Sequence, residues 1–384
     1  MSEPSPPIDH SQAWHVFKND GKVRDDWELP SPPSWRPFGQ PMAAGVNRRK
    51  QQADTFQMQP DQVDMVNAAI YLRRPLLITG KPGTGKSSLA YKVAKELNLG
   101  EVLYWPITTR TTLKSGLYRY DAIGRLQETE QLVKSAELRS GSAAQINEKA
   151  IGKYITLGPL GTALLPSDKP RVLLIDEIDK SDIDLPNDLL SIFEEGWFEI
   201  PELERIKDRP ETARVSVRTA YADREEKTAV DIRYEVPEGR VSCRVFPLVI
   251  LTSNGERDFP PAFLRRCLRL RMPLPKKQML NRIVTAHLEA EFEQLKATKG
   301  EDFAEARRAV AESEREELIQ TFLDKRKEGD LATDQLLNAI FMVTREQSPL
   351  GSDKKRLIQA ILKQLSSAED FVEDDFAADS DGLV

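Results

Sequence analysis

In the stretch LLITGKPGTGKSSLA, an apolar run ends at Gly80 and is followed at once by small residues, a lysine and a hydroxyl. The spacing is G-x-x-x-x-G-K-S/T, with Gly80, Gly85, Lys86 and Ser87 at its fixed positions. Lys81, Pro82, Gly83, Thr84 and Ser88 fill and extend it. Small residues let a backbone wrap an anion so that successive N–H groups and a helix N-terminus face it. In such a cradle Lys86 would reach the β- and γ-phosphates of a nucleotide, and Ser87 would ligate a magnesium ion.

Two later stretches supply what a phosphate cradle needs for chemistry. VLLIDEID ends an apolar run in Asp176 and Glu177. A carboxylate at the end of a strand can hold a magnesium shell while its neighbour activates a water for in-line attack, so Asp176 is assigned to the metal and Glu177 to the water. In VILTSNGERDFPPAFLRRCLRL, Asn254 stands just past an apolar run, where its amide would hold the water or sense the γ-phosphate. Arg265 and Arg266 follow at the end of a short predicted helix. An arginine pair there is either a surface charge cluster or a finger that stabilises phosphoryl-transfer charge in an adjacent subunit.

The elements that must position these residues alternate. QPDQVDMVNAAIYLRRP spaces Val63, Val66, Ile70 and Leu72 as a helix face and stops before Pro75. LLIT reads as a strand, SSLAYKVAKELNL as a helix, and EVLYWPIT, RVLLIDE and FPLVILTSN as further strands, with a helix in IDLPNDLLSIFEEG. Apolar strands interleaved with helices predict a parallel sheet covered on both faces. After Pro275 only helical patterns remain, in KKQMLNRIVTAHLEAEFEQL, TDQLLNAIFMVTRE and DKKRLIQAILKQL.

The ends differ in character. Residues 1–56 are rich in proline yet hold Trp14, Trp27 and Trp35, which is more aromatic content than a disordered tail carries. The arm is therefore a strap on its own domain or a peptide that docks on a neighbour. From residue 366 the chain holds Glu369, Asp370, Glu373, Asp374, Asp375, Asp379 and Asp381 and no basic residue, which predicts a solvated acidic tail.

Composition excludes several classes. The chain has 384 residues, enough for two packed units, and a net charge of -6 that argues against a nucleic-acid track. No apolar run reaches a bilayer span, and the N-terminus lacks the basic start and apolar stretch of a secretory signal, so a cytoplasmic protein is expected. Cys243 and Cys267 are too far apart for a C-x-x-C site, and His10, His15 and His287 form no ligand set.

Taken in order, the glycine loop, Asp176 and Glu177, Asn254 and the arginine pair resemble an AAA+ ATPase. The segments TTRTTLKSGLYRYDAIGRLQ, GKYITLGPLGTALL and LIDEIDKSDIDLPNDLLSIFEEGWFEIPEL are similar to the MoxR-like group within it. The resemblance spans Gln57 to Leu365. It implies an α/β fold, a P-loop NTPase AAA+ core with a parallel sheet sandwiched by helices, followed by a C-terminal all-helical lid domain. The expected boundaries are 57–274 for the core, 275–365 for the lid and 366–384 for the tail. Within the core, a helix-2 insert facing a ring centre is expected at about 150–166, and an enlarged hairpin at about 202–246. The resemblance also implies that the glycine loop with Lys86 and Ser87 is the Walker A element, Asp176 and Glu177 the Walker B pair, Asn254 the first sensor and Arg266 the arginine finger beside Arg265. Asp330 falls where the family places a basic second sensor, and no residue is assigned to that role.

The resemblance implies ATP and Mg2+ as ligands, self-association into a ring, by expectation a hexamer, and a remodelled protein partner such as a von Willebrand A-domain protein, within a bacterial conflict or defence system in some relatives. A slow nucleotide switch or scaffold is the alternative, and a nucleic-acid motor a third.

Overall fold

The computed structural model describes residues 56–137, 148–209, 212–221, 233–345 and 348–364, with short pieces between 14 and 53. These residues divide into one unit spanning 39–274 and another combining 275–384 with 1–38.

Eleven strands lie in the first unit: β1 (Leu76–Thr79), β2 (Leu103–Pro106), β3 (Tyr118–Tyr120), β4 (Ile155–Leu157), β5 (Val172–Asp176), β6 (Trp197–Glu199), β7 (Arg214–Arg218), β8 (Arg233–Pro237), β9 (Arg240–Ser242), β10 (Leu248–Ser253) and β11 (Leu268–Arg271). Five form one sheet in the order β11-β1-β10-β5-β2, and every pairing in it is parallel. Alternation along each strand sends side chains to opposite faces. Leu77, Leu103, Leu173, Ile175, Val249 and Leu251 join one apolar cluster, while Leu76, Ile78, Val172, Leu174, Leu248 and Ile250 join the other. Both faces are buried, which is why these strands read as continuous apolar runs rather than alternating ones.

Helices cover the two faces. The second cluster takes its cover from α1 (Pro60–Leu72), through Val66 and Ala69, and α2 (Lys86–Glu96), through Leu89, Ala90 and Val93. The inward face of α1 differs from the expected one, because Val63 and Leu72 are exposed and Ala69 is buried in their place. Further along come α3 (Leu113–Leu117), α4 (Ala122–Glu137), α5 (Pro159–Ala163), α6 (Leu185–Glu195), α7 (Pro201–Glu204) and α8 (Pro261–Leu264). Leu160, Leu189 and Phe263, from α5, α6 and α8, fill the first cluster.

A second sheet runs β3-β4-β7-β8, and β6 pairs with β9. The β7–β8 pair is antiparallel, with Val215 opposite Val236. β9 follows β8 and pairs with β6, antiparallel. Ile155, Leu157, Leu160 and Leu164 are fully buried in the first cluster, whereas Ile123 and Leu126 of α4, in the connection from β3 to β4, are exposed. The apolar residues of GKYITLGPLGTALL are thus part of the core.

The second unit is helical, with α9 (Lys277–Lys299), α10 (Glu301–Glu328), α11 (Thr333–Thr344) and α12 (Gly351–Ile361). Leu280, Val284, Leu288 and Phe292 recur every four residues on α9 and pack with Leu318, Ile319 and Phe322 of α10 and Leu336 and Ile340 of α11. Trp14 and Trp27 belong to this unit; Trp35 and the acidic tail lie outside the described residues. Both cysteines are free, and burial pushes the Cys267 thiol up to about 12. Among the described residues no helix is long and apolar enough to cross a membrane.

Candidate active site

The parallel sheet brings three strand ends together. Thr79 of β1 stands opposite Ser253 of β10, and Leu251 opposite Ile175 of β5, so the residues that follow these strands meet at their carboxyl ends. Ligands of open α/β sheets bind at that edge. Gly80 N–H donates to Ser253 C=O at 3.2 Å, fixing the start of the glycine loop to the start of the Asn254 loop.

The loop then turns through Gly83 and Gly85 at φ 74 and 85, a region that other residues enter at a cost. Gly85 caps α2, and a Cβ there would stand 2.5 Å from the Phe56 ring. Lys81, Pro82 and Gly83 are exposed, while Thr84 closes the turn by donating from Oγ1 to Lys81 C=O at 2.9 Å. Lys86 opens α2 only 7% exposed. Its ammonium donates to Gly80 C=O at 2.7 Å, Lys81 C=O at 3.0 Å and Asn254 Oδ1 at 2.8 Å. Burial holds Lys86 below its ordinary pKa, against the charges of Asp179, Asp176 and Glu177.

Asp176 gathers hydroxyls. Ser87 donates to its Oδ1 at 2.6 Å, Thr252 to the same oxygen at 2.7 Å, and Tyr104 to Oδ2 at 3.3 Å. Glu177 sits in the left-handed region at φ 61, and its N–H donates to Thr252 Oγ1 at 2.9 Å. Its side chain bonds Lys180 at 2.8 Å, where both side chains are about two-fifths exposed (41% and 42%). The hydrogen bond to Glu177 raises Lys180 above its ordinary value.

Two bonded sets, Lys86 with Asn254 and Ser87 with Asp176, meet at the Lys86–Ser87 peptide to make one network, with Glu177 attached through Thr252. Ser88 follows in the first turn of α2, half-buried. Arg265 and Arg266 stand outside this network. Arg265 caps α8, exposed, and its carbonyl accepts from Arg74. Arg266 bonds Glu194 through Nε and donates from Nη1 to Ala262 C=O at 3.2 Å. Thr252, Tyr104 and Asp179 carry no motif signal. Only the alignment of strand ends exposes them.

The hydroxyl of Ser87 and the carboxylate of Asp176 are hard oxygen donors of the kind a magnesium ion takes, a fit in chemistry that a thiol or imidazole would not give. Among the described residues no group of three or more His, Cys, Asp or Glu gathers elsewhere.

Residues 75–267 match the family model of an AAA domain of the dynein-related subfamily. No curated protein matches the sequence. Among solved structures, the chain is similar to domain III of the Thermotoga maritima replication initiation protein DnaA, at 14% identity and a TM-score of 0.36, over 81% of this chain and 96% of that one. It is also similar to C. elegans PCH-2, at 14% identity and a TM-score of 0.38, over 83% of this chain and 73% of that one.

Proposed function

The chain belongs to the AAA domain family, dynein-related subfamily, and from that premise we propose that it is a Mg-dependent ATP hydrolase of the MoxR-like AAA+ type. On this reading it works as a ring, by expectation a hexamer, that remodels or activates a partner protein such as a von Willebrand A-domain protein, with a bacterial conflict or defence system as its setting.

The observation that carries the hydrolase reading is Lys86 spanning the glycine loop and Asn254, next to the Ser87–Asp176 contact. A triphosphate entering the loop would exchange its β- and γ-oxygens for the carbonyls of Gly80 and Lys81 at the Lys86 ammonium. The N-terminus of α2 would face the same charge. Ser87 and Asp176 would hold the magnesium ion, which when bound neutralises charge on the phosphate oxygens. Glu177 would turn from Lys180 and take a proton from the water attacking the γ-phosphorus, as the bond to the bridging oxygen breaks to give ADP and phosphate. Asn254 would orient that water or the γ-phosphate, and Arg266 of a neighbouring copy would meet the charge that develops.

The ion pair between Glu177 and Lys180 favours a second reading, a slow nucleotide switch in which the carboxylate is held from the water. Steady-state turnover of Mg-ATP separates the two. A hydrolase gives sustained turnover that Glu177→Gln lowers by about 100-fold or more while ATP binding persists, and that Lys86→Ala abolishes together with binding. A single turnover per chain, or sustained turnover in Glu177→Gln, would contradict the hydrolase.

A further inference from the structure

Asp179 lies three residues beyond Asp176, only 3% exposed, and none of the roles above uses it. Its carboxylate faces the loop that follows β10. Oδ2 accepts from Asn254 N–H at 2.8 Å and from Glu256 N–H at 3.1 Å. Gly255, between them, has φ 82, and this left-handed residue lets the flanking N–H groups converge on one oxygen in the manner of an anion nest. A third tie lies alongside, where Arg257 Nη1 donates to Ser181 C=O at 2.7 Å. The other oxygen, Oδ1, is buried with no hydrogen-bond partner among the described residues.

A buried carboxylate with one oxygen unsatisfied costs stability. That cost, with one oxygen gripping two loop N–H groups, calls for an account. Asn254 supplies it. Its N–H is held by Asp179, while its Oδ1 takes the Lys86 ammonium. With Oδ1 so engaged, the amide NH2 carries the donors that a phosphate or water oxygen would take. The backbone grip therefore decides where those donors lie relative to the glycine loop.

We infer that Asp179 is a positioning residue: it locks the 254–256 loop against the segment after the Asp176–Glu177 pair, and so sets the Asn254 amide for hydrolysis. The carboxylate pair and Asn254 then move as one body. Its negative charge also works against the lowering of the Lys86 pKa.

This rests on the hydrolase reading, and a double-mutant cycle tests it. Steady-state Mg-ATP hydrolysis is measured for the full chain and for Asp179→Ala, Asn254→Ala and the double variant. Asp179→Ala is expected to lower kcat by about 30-fold with KM within about threefold of the parent, because the loss falls on transition-state positioning rather than on binding. In the Asn254→Ala background the same change slows turnover by less than about twofold, since the group it positions is gone. Asp179→Asn keeps an acceptor oxygen and recovers most of the rate. A purely structural role would lower both backgrounds by the same factor, and that result overturns the inference, as does an Asp179→Ala chain with parental kcat.

Should Asp179→Ala fail to fold, Asp179→Glu carries the cycle. It keeps the charge and shifts the acceptor by one methylene, with about a tenfold loss of kcat expected in the parent and none in Asn254→Ala. Equal losses overturn the inference in that form too. A parent without turnover overturns the hydrolase reading and this inference with it, whereas turnover in the parent with equal losses overturns this inference alone.

Discussion

Lys86 donates three hydrogen bonds to the chain's own oxygens, and the two to the Gly80 and Lys81 carbonyls are contacts that a phosphate would take over. Glu177 has a comparable commitment to Lys180, but an exposed one. An exposed ion pair is worth about 0.2–1 kcal/mol, so releasing Glu177 from it changes a rate by up to about fivefold. Lys180→Ala is therefore expected to raise kcat by about two- to fivefold with ATP affinity unchanged. A fall in kcat would mean that Lys180 supports Glu177 rather than restraining it. Lys86, Ser87, Asp176 and Asn254 were legible in the sequence because each stands in a fixed frame around an apolar run. Thr252 and Asp179 were not, because a threonine inside a strand and an aspartate three residues after another gain their roles only when β5 and β10 lie side by side. The engagement of Glu177 with Lys180 was equally hidden, since the left-handed backbone at Glu177 carries no signal in the sequence.

At the scale of elements, four of the five strands of the main sheet could be read from apolar runs. The fifth, β11, is LRLR, whose alternating arginines disguise it at the sheet edge, where Arg269 and Arg271 stay exposed. On α9, His287 and Glu291 lie one turn apart and make the helical unit pH-sensitive in two opposed ways. Burial pushes the Glu291 carboxyl up to about 7, with Arg307 pulling against it, and pushes His287 down to about 4. A carboxyl of ordinary pKa 4.5 in the unfolded chain loses its proton before the folded one does, so Glu291 makes stability fall as pH rises from about 4.5 to about 7. The unfolded histidine binds a proton below 6.5 that the folded one refuses, so His287 makes stability rise as pH goes from about 4 to about 6.5. The slopes oppose each other over most of this window. Chemical denaturation of Glu291→Gln should show stability increasing from pH 4 to 6.5, and of His287→Gln stability decreasing from pH 4.5 to 7. The same slope in both variants would contradict the assignment.

For the whole molecule, the α/β core and the helical unit give the chain a nucleotide site and a second body, and the described residues of the Trp-rich arm up to 33 belong to the helical one. Proline and tryptophan content left two readings of that arm open, because composition reports that a segment packs and not where. The arginine pair has the same ambiguity. Arg266 bonds Glu194 of its own chain and stands outside the Lys86–Asp176 network, so its proposed part in catalysis requires a second copy. Mixing two inactive variants tests this most directly. Arg266→Ala retains Glu177, and Glu177→Gln retains Arg266, so each should be inactive alone. Random assembly of equal amounts into a head-to-tail ring pairs an intact Glu177 with a neighbour's intact Arg266 at about one site in four. The account predicts that ATP turnover reappears on mixing, at about a quarter of the parental rate per chain. A mixture no more active than its two components would contradict it.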